Sequence, residues 1–161
     1  MRKILLMACL SFLPLAAITA EGTAPKGYEY WSDSAFADAS KALAAKSTSD
    51  PYHSASKQVT DYSNDYFLVA HREADGQVEW HETQTDVFVV RSGSATLVVG
   101  GTNTGGKTTT PGEMRGGAIE GGTRQKLSAG DVVRIPAKAP HQLLVSSGEK
   151  FDYFVVKIKG Y

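Results

Sequence analysis

From about Lys57 onward, apolar residues recur at every second position, in short runs broken by turn signals. This alternation predicts strands at Gln58–Tyr62, Tyr66–Arg72, Gln77–His81, Asp86–Arg91, Ala95–Val99, Arg124–Leu127, Val132–Ile135, His141–Ser146 and Phe151–Lys159. Tight turns are signalled by Asp75-Gly76, Ser92-Gly93, Ala129-Gly130 and Ser147-Gly148. Many short strands at hairpin spacing, with no helical pattern between them, predict an antiparallel sandwich or barrel. Residues 100–122 break the pattern: 9 of the 16 glycines lie there. Such a segment reads as a long mobile loop or loose hairpin, a candidate lid.

Upstream, the period is different. Ser32 or Asp33 can cap a helix running to about Lys46, with Phe36, Ala39 and Leu43 at helical spacing. Its apolar stripe is thin, so it should pack on something larger. Residues 47–56, with Pro51, read as a loop. At the start of the chain, Arg2 and Lys3 precede an apolar run from Ile4 to Ile18, and Thr19-Ala20 precede Glu21. That is the form of a cleaved signal peptide, and the run is short for a membrane span. The expected division is therefore 1–20 signal peptide, 21–56 N-terminal arm and helix, and 57–161 barrel. A secreted or periplasmic protein follows, with no membrane association once the signal is removed.

Composition narrows the chemistry. The 161 residues suit one domain, and Lys+Arg 17 against Asp+Glu 17 give no electrostatic case for nucleic acid. The single cysteine, Cys9, falls in the signal. The exported chain would have no disulfide and no thiolate, so any metal site must use His, Asp, Glu or backbone oxygen. Residues 101–108, Gly101 to Gly106-Lys107-Thr108, satisfy a phosphate-loop pattern. Thr109, Thr110, Pro111 and Gly112 follow where that motif needs a helix, so phosphate binding is rejected.

Four histidines remain: His53, His71, His81 and His141. On a strand, Glu79 and His81 share a face with Trp80 opposite, and a short turn leads to Asp86 at the start of the next strand. His71 has the parity of Phe67 and Val69 and opposite parity to Arg72. If those two line the barrel, His71 is a further ligand, a partner to one, or a general base and so a possible catalytic residue. His53 lies in a polar loop and reads as surface. Lys157 and Lys159 alternate with Val156 and Ile158, which reads as an exposed strand face. Trp31 and Trp80 read as packing anchors between arm and barrel or at a homodimer interface.

Here the sequence resembles the cupin superfamily, whose first motif is G(X)5HXH(X)3–4E(X)6G. The chain has Glu79-x-His81, four residues, Asp86, six residues and Gly93. Glutamate and aspartate replace a histidine and the glutamate, and the opening glycine is displaced to Gly76. A three-residue spacing would instead put Trp80 and Glu82 at the ligand positions; the four-residue spacing keeps a histidine inward. The second motif, G(X)5PXG(X)2H(X)3N, is matched from Gly130 through Pro136 to His141, with Lys138 for glycine and Val145 for asparagine. Between them, Gly93 to Gly100 looks like the family's central hairpin strand.

The resemblance covers roughly residues 66–159. It implies an all-β fold, a cupin-type antiparallel β-barrel (jelly roll) with a short N-terminal helix. It also implies one divalent metal held by Glu79, His81, Asp86 and His141. The mixed nitrogen and oxygen donors suit Fe, Mn, Ni or Zn alike. The expected partner is a small polar molecule, acted on by oxygenase, isomerase or lyase chemistry. The alternative is a non-catalytic metal- or small-ligand-binding barrel, and the sequence leaves open whether the protein is an enzyme.

Overall fold

The computed structural model describes residues 22–160. The expected signal peptide and Cys9 lie outside them. Residues up to Tyr30 form a unit of their own, in which the Tyr28 amide donates to the Pro25 carbonyl over 3.0 Å.

The second unit begins at Trp31 and opens with α1 (Asp33–Ser47). Ser32 caps it, its side chain accepting from the Ala35 amide at 3.1 Å, and Asp33 and Lys46 suit the helix dipole at opposite ends. Phe36 and Leu43 are buried against Val69 and partly buried Trp31 and Phe154. Each contributes about 1.5–3 kcal/mol by leaving water. Among the described residues no helix is long and apolar enough to cross a membrane.

Among the described residues twelve strands follow. β1 (Ser54–Gln58), β2 (Asp65–Arg72), β12 (Phe151–Lys159), the first half of β4 (Gln84–Val99) and β10 (Val132–Ile135) are hydrogen-bonded in that order. The second half of β4 lies between β9 (Thr123–Ser128) and β11 (His141–Leu144). β11 continues the sheet through β3 (Glu79–His81) and β7 (Glu113–Arg115) to β6 (Lys107–Thr110). All pairings are antiparallel. Phe88, Val90, Tyr153 and Val155 from one side meet Ala95, Leu97, Leu127 and Leu143 from the other in one core.

Ser92-Gly93 does not turn the chain. β4 runs straight through it, passing from one set of partners to the other. Tyr153 pairs with Val90 and Asp152 with Ser92, so Arg91 is an extra residue in the ladder. A bulge of this kind shifts side-chain alternation by one. Inward positions change from Asp86, Phe88 and Val90 to Ala95 and Leu97. Gly93 has φ +72°, and a Cβ there would lie 1.7 Å from the Lys150 carbonyl oxygen.

Residues 100–122, expected as a long mobile loop or a loose hairpin, form nested hairpins, as the second alternative has it. β5 (Thr102–Thr104) pairs with β8 (Ala118–Glu120), and within them β6 pairs with β7. Close approach explains some of the glycine: a Cβ on Gly117 would meet the Thr104 oxygen at 2.4 Å. Lys107 begins a strand and no helix, as the rejection of the phosphate loop requires. The strand expected over Gln58–Tyr62 is displaced; β1 ends at Gln58, since Tyr62 and Asp65 close a turn instead.

Candidate metal centre

β3 organises the site. Glu79 and His81 point the same way, and the antiparallel register sets His141 of β11 opposite Glu79 and Glu113 of β7 opposite His81. From the other side of the barrel, Asp86 of β4 and Lys157 of β12 are register partners. His81, His141 and Asp86 are 3 %, 3 % and 2 % exposed. Trp80 turns outward and donates from Nε1 to the Lys138 carbonyl at 3.0 Å. The four-residue spacing is the one that brings a histidine inward.

Ligand atoms of Glu79, His81 and His141 all lie within 4.8 Å of one another. Asp86 Oδ2 is 3.5 Å from His81 Nε2 and 3.4 Å from His141 Nε2. Two donors bound to one ion at about 2.1 Å are separated by roughly 3–4 Å, so the spacing suits a common ion.

Hydrogen bonds fix which ring nitrogens face inward. His81 Nδ1 lies 2.6 Å from Glu113 Oε2, to which it donates, leaving Nε2 as the lone-pair atom. His141 Nδ1 donates to the Ala139 carbonyl at 3.0 Å, and its Nε2 is buried with no hydrogen-bond partner. Oδ1 of Asp86 is likewise buried and unpartnered. Lone pairs and carboxylate oxygens therefore converge, and a cation shared among them, a metal ion or a proton between His141 Nε2 and Asp86, satisfies them. On that chemistry the donor set fits a divalent metal.

One cation from the chain already stands there. Lys157, expected on an exposed face, is 8 % exposed, with Nζ 2.7 Å from Asp86 Oδ2 and 2.8 Å from His81 Nε2. Its parity is that of Tyr153 and Val155, which face the core, whereas Phe154 packs toward α1. Burial would raise the Asp86 carboxyl, but contact with His141 and His81 and the Lys157 charge outweigh it and hold it well below the usual carboxylate range. Glu79 behaves alike: burial is outweighed by His141, Lys157, Arg115 and Arg72. Arg72 Nη2 lies 3.2 Å from Glu79 Oε1, and Arg115 Nη2 3.5 Å from Oε2.

The second-motif position occupied by Lys138 has φ +66°, a conformation that favours glycine. Its amide donates to the His81 carbonyl at 2.7 Å, tying the two motif segments together.

His71 is elsewhere. Phe67 and Val69 face the helix layer, with Phe67 edge-on to Phe154 at 5.6 Å between ring centroids, and the barrel side of β2 is Leu68, Ala70 and Arg72. The condition that would have put His71 beside Glu79, His81 and His141 is not met, although His71 is among the residues lining the cavity next to them. Its Nδ1 lies 2.7 Å from Asp152 Oδ1 and its Nε2 3.1 Å from Glu73 Oε1. His53 is exposed.

A cavity of about 620 Å³ adjoins the ligands, walled by Tyr66, Leu68, Phe88, Tyr153 and Val155 beside Arg72. Arg72, Glu113, Arg115 and Lys157 were not among the residues the sequence singled out for the site. Arg72 had a signal in its shared parity with Leu68 and Ala70. Glu113 and Arg115 had none, because they sit in the glycine-rich segment.

No protein-family model and no curated protein matches the sequence. Solved structures do match in fold. An uncharacterized conserved protein with a double-stranded beta-helix domain from Klebsiella pneumoniae is 19 % identical over 70 % of this chain and 81 % of its own, with a TM-score of 0.52. The protein TT1209 from Thermus thermophilus is 18 % identical over 68 % and 87 %, at 0.51. A recombinant oxalate oxidase in complex with glycolate is 16 % identical over 70 % of this chain and 54 % of its own, at 0.50. The chain thus has the double-stranded β-helix, or cupin-type jelly-roll, fold.

Proposed function

We propose that this double-stranded β-helix protein holds one divalent metal ion through Glu79, His81, His141 and Asp86 and binds a small polar molecule beside it. The observation that carries the reading is the unpartnered, buried Nε2 of His141, 3.4 Å from Oδ2 of Asp86, whose other oxygen is also unpartnered among the described residues. When bound, the ion would supply Lewis-acid polarisation to a ligand in its open positions. Glu113 and the Ala139 carbonyl hold the two imidazoles in the tautomer that presents Nε2. Arg72 and Arg115 orient Glu79. Carboxylates of Asp50, Glu79, Asp86 and Glu113 are nearly balanced around the cavity by Arg72, Arg115 and Lys157. A divalent ion would leave it net positive, which favours a ligand bearing a negative group.

Lys157 among the donors favours the non-catalytic reading, because it holds an ammonium against two of them. Export belongs to the proposal too, supported by Arg2, Lys3 and the apolar run that follows; N-terminal sequencing of the secreted product tests it. Elemental analysis of protein prepared without chelator tests the metal: close to one equivalent is expected, against less than about a tenth in a His81→Ala, His141→Ala variant. Equal metal content in the two would overturn the ligand assignment.

A further inference from the structure

Lys157 Nζ is within hydrogen-bond distance of two of the four donors that face the centre, His81 Nε2 at 2.8 Å and Asp86 Oδ2 at 2.7 Å. It is not a lysine that reached the site by chance of a flexible stem. Its backbone is locked in the middle of the sheet, between Asp86 on one side and Tyr66 on the other, and its side chain is buried. Among the described residues Asp86 has no other hydrogen-bond partner, since Oδ1 is unpartnered and Oδ2 meets only the ammonium and the imidazoles.

We propose that Lys157 is an internal cation that competes with a divalent metal for His81 and Asp86, so that metal occupancy is set by displacement of the lysine. The proposal rests on the metal reading above. Its physical basis is exclusion and charge. An ion bound at about 2.1 Å from His81 Nε2 and from an Asp86 oxygen would overlap the position of Nζ or press against it. Two cations cannot share those lone pairs, so the ammonium must withdraw for the ion to enter. The neighbouring cavity, walled by Tyr66, Leu68 and Val155, gives the stem somewhere to go. His141 Nε2, which the lysine does not reach by any hydrogen bond, is left ready for the incoming ion. The consequence is a site with weaker metal affinity than its donors would otherwise give, and with its anionic charge neutralised while no metal is bound.

The test is calorimetric titration of the full mature chain with Zn²⁺ alone and with Mn²⁺ alone, for the unaltered protein, Lys157→Met and Lys157→Gln. Met retains the length and apolar stem without the charge; Gln keeps a polar end if Met fails to fold, and circular dichroism checks both. At least a tenfold tighter metal affinity in either folded variant is expected. Without metal, the variants should melt at lower temperature than the unaltered protein, and saturating metal should close that gap. Equal affinity in the unaltered protein and the variants would overturn the competition and leave the metal site standing. If neither the unaltered protein nor the variants bind either ion, the metal reading itself falls, and the competition with it.

Discussion

Glu113 Oε2 lies 2.6 Å from Nδ1 of His81, linking the glycine-rich hairpin to the centre of the barrel. The hairpin is therefore part of the site's support, and the contact is short enough for a strong, charge-assisted bond. Arg115 Nη1 lies 3.0 Å from the same carboxylate and fixes it in turn. Removing this partner frees the His81 ring to rotate and to change tautomer. Glu113→Ala is expected to weaken metal affinity by about 10–100-fold, with the circular dichroism spectrum unchanged. Competition against a chromophoric chelator measures it, and an unchanged affinity would show that the imidazole is held by packing alone.

The second prediction concerns the bulge in β4. At Gly93 two demands coincide: φ is +72°, and the Lys150 carbonyl oxygen occupies the space of a Cβ at 1.7 Å. Gly148 has φ +82° but nothing within 4 Å of a Cβ. Alanine at Gly148 should cost only the left-handed conformation, about 1–2 kcal/mol. Alanine at Gly93 adds a forced separation of β4 from β12, and about 3 kcal/mol or more is expected. Urea denaturation of the two variants side by side separates the contributions. Equal losses would mean that the backbone around Gly93 yields easily.

The contrast between these glycines also shows where the sequence could be read and where not. Val132–Ile135 and Phe151–Lys159 were legible to the residue, because alternation and flanking turns agreed. Glu79, His81 and His141 were legible as a group, because strand parity and two spaced motifs pointed at them. Gly93 was misread as a turn, since a bulge leaves the same Ser-Gly signature and only the register of the partner strand tells them apart. Parity failed for His71 and Lys157 for a different reason. β2 and β12 are covered on both faces, by the barrel core and by α1, so both sets of alternate residues are apolar and neither declares itself inward. Arg72 and Lys157 entered the site on the faces assumed to be outside. The hairpin carrying Glu113 has no hydrophobic period at all, because its strands are three or four residues long and largely exposed.

Arg72 leads to the last prediction. Its Nε donates to the Tyr153 hydroxyl at 3.0 Å, and Tyr153 is 4 % exposed, packed on Phe88 with ring centroids 5.1 Å apart. Burial raises the phenol; the Arg72 charge opposes this, the Glu79 charge adds to it, and the net direction is upward. An unfolded tyrosine ionises near pH 10. Between that pH and the higher folded value, the unfolded chain has lost a proton that the native state keeps. Stability is therefore fully present below about pH 10 and declines as pH rises beyond it. Tyr66 is raised as well, by burial and then by Asp86 and Glu113, so it adds a slope of the same sign. Tyr153→Phe retains the ring packing and removes one of the two slopes, at a cost near neutral pH of about 0.5–1.5 kcal/mol for the acceptor that Arg72 loses. Urea midpoints from pH 7 to 11 should converge for the two proteins as the solution becomes alkaline. Parallel curves across that range would mean that the Tyr153 proton is held no more tightly in the barrel than in the open chain.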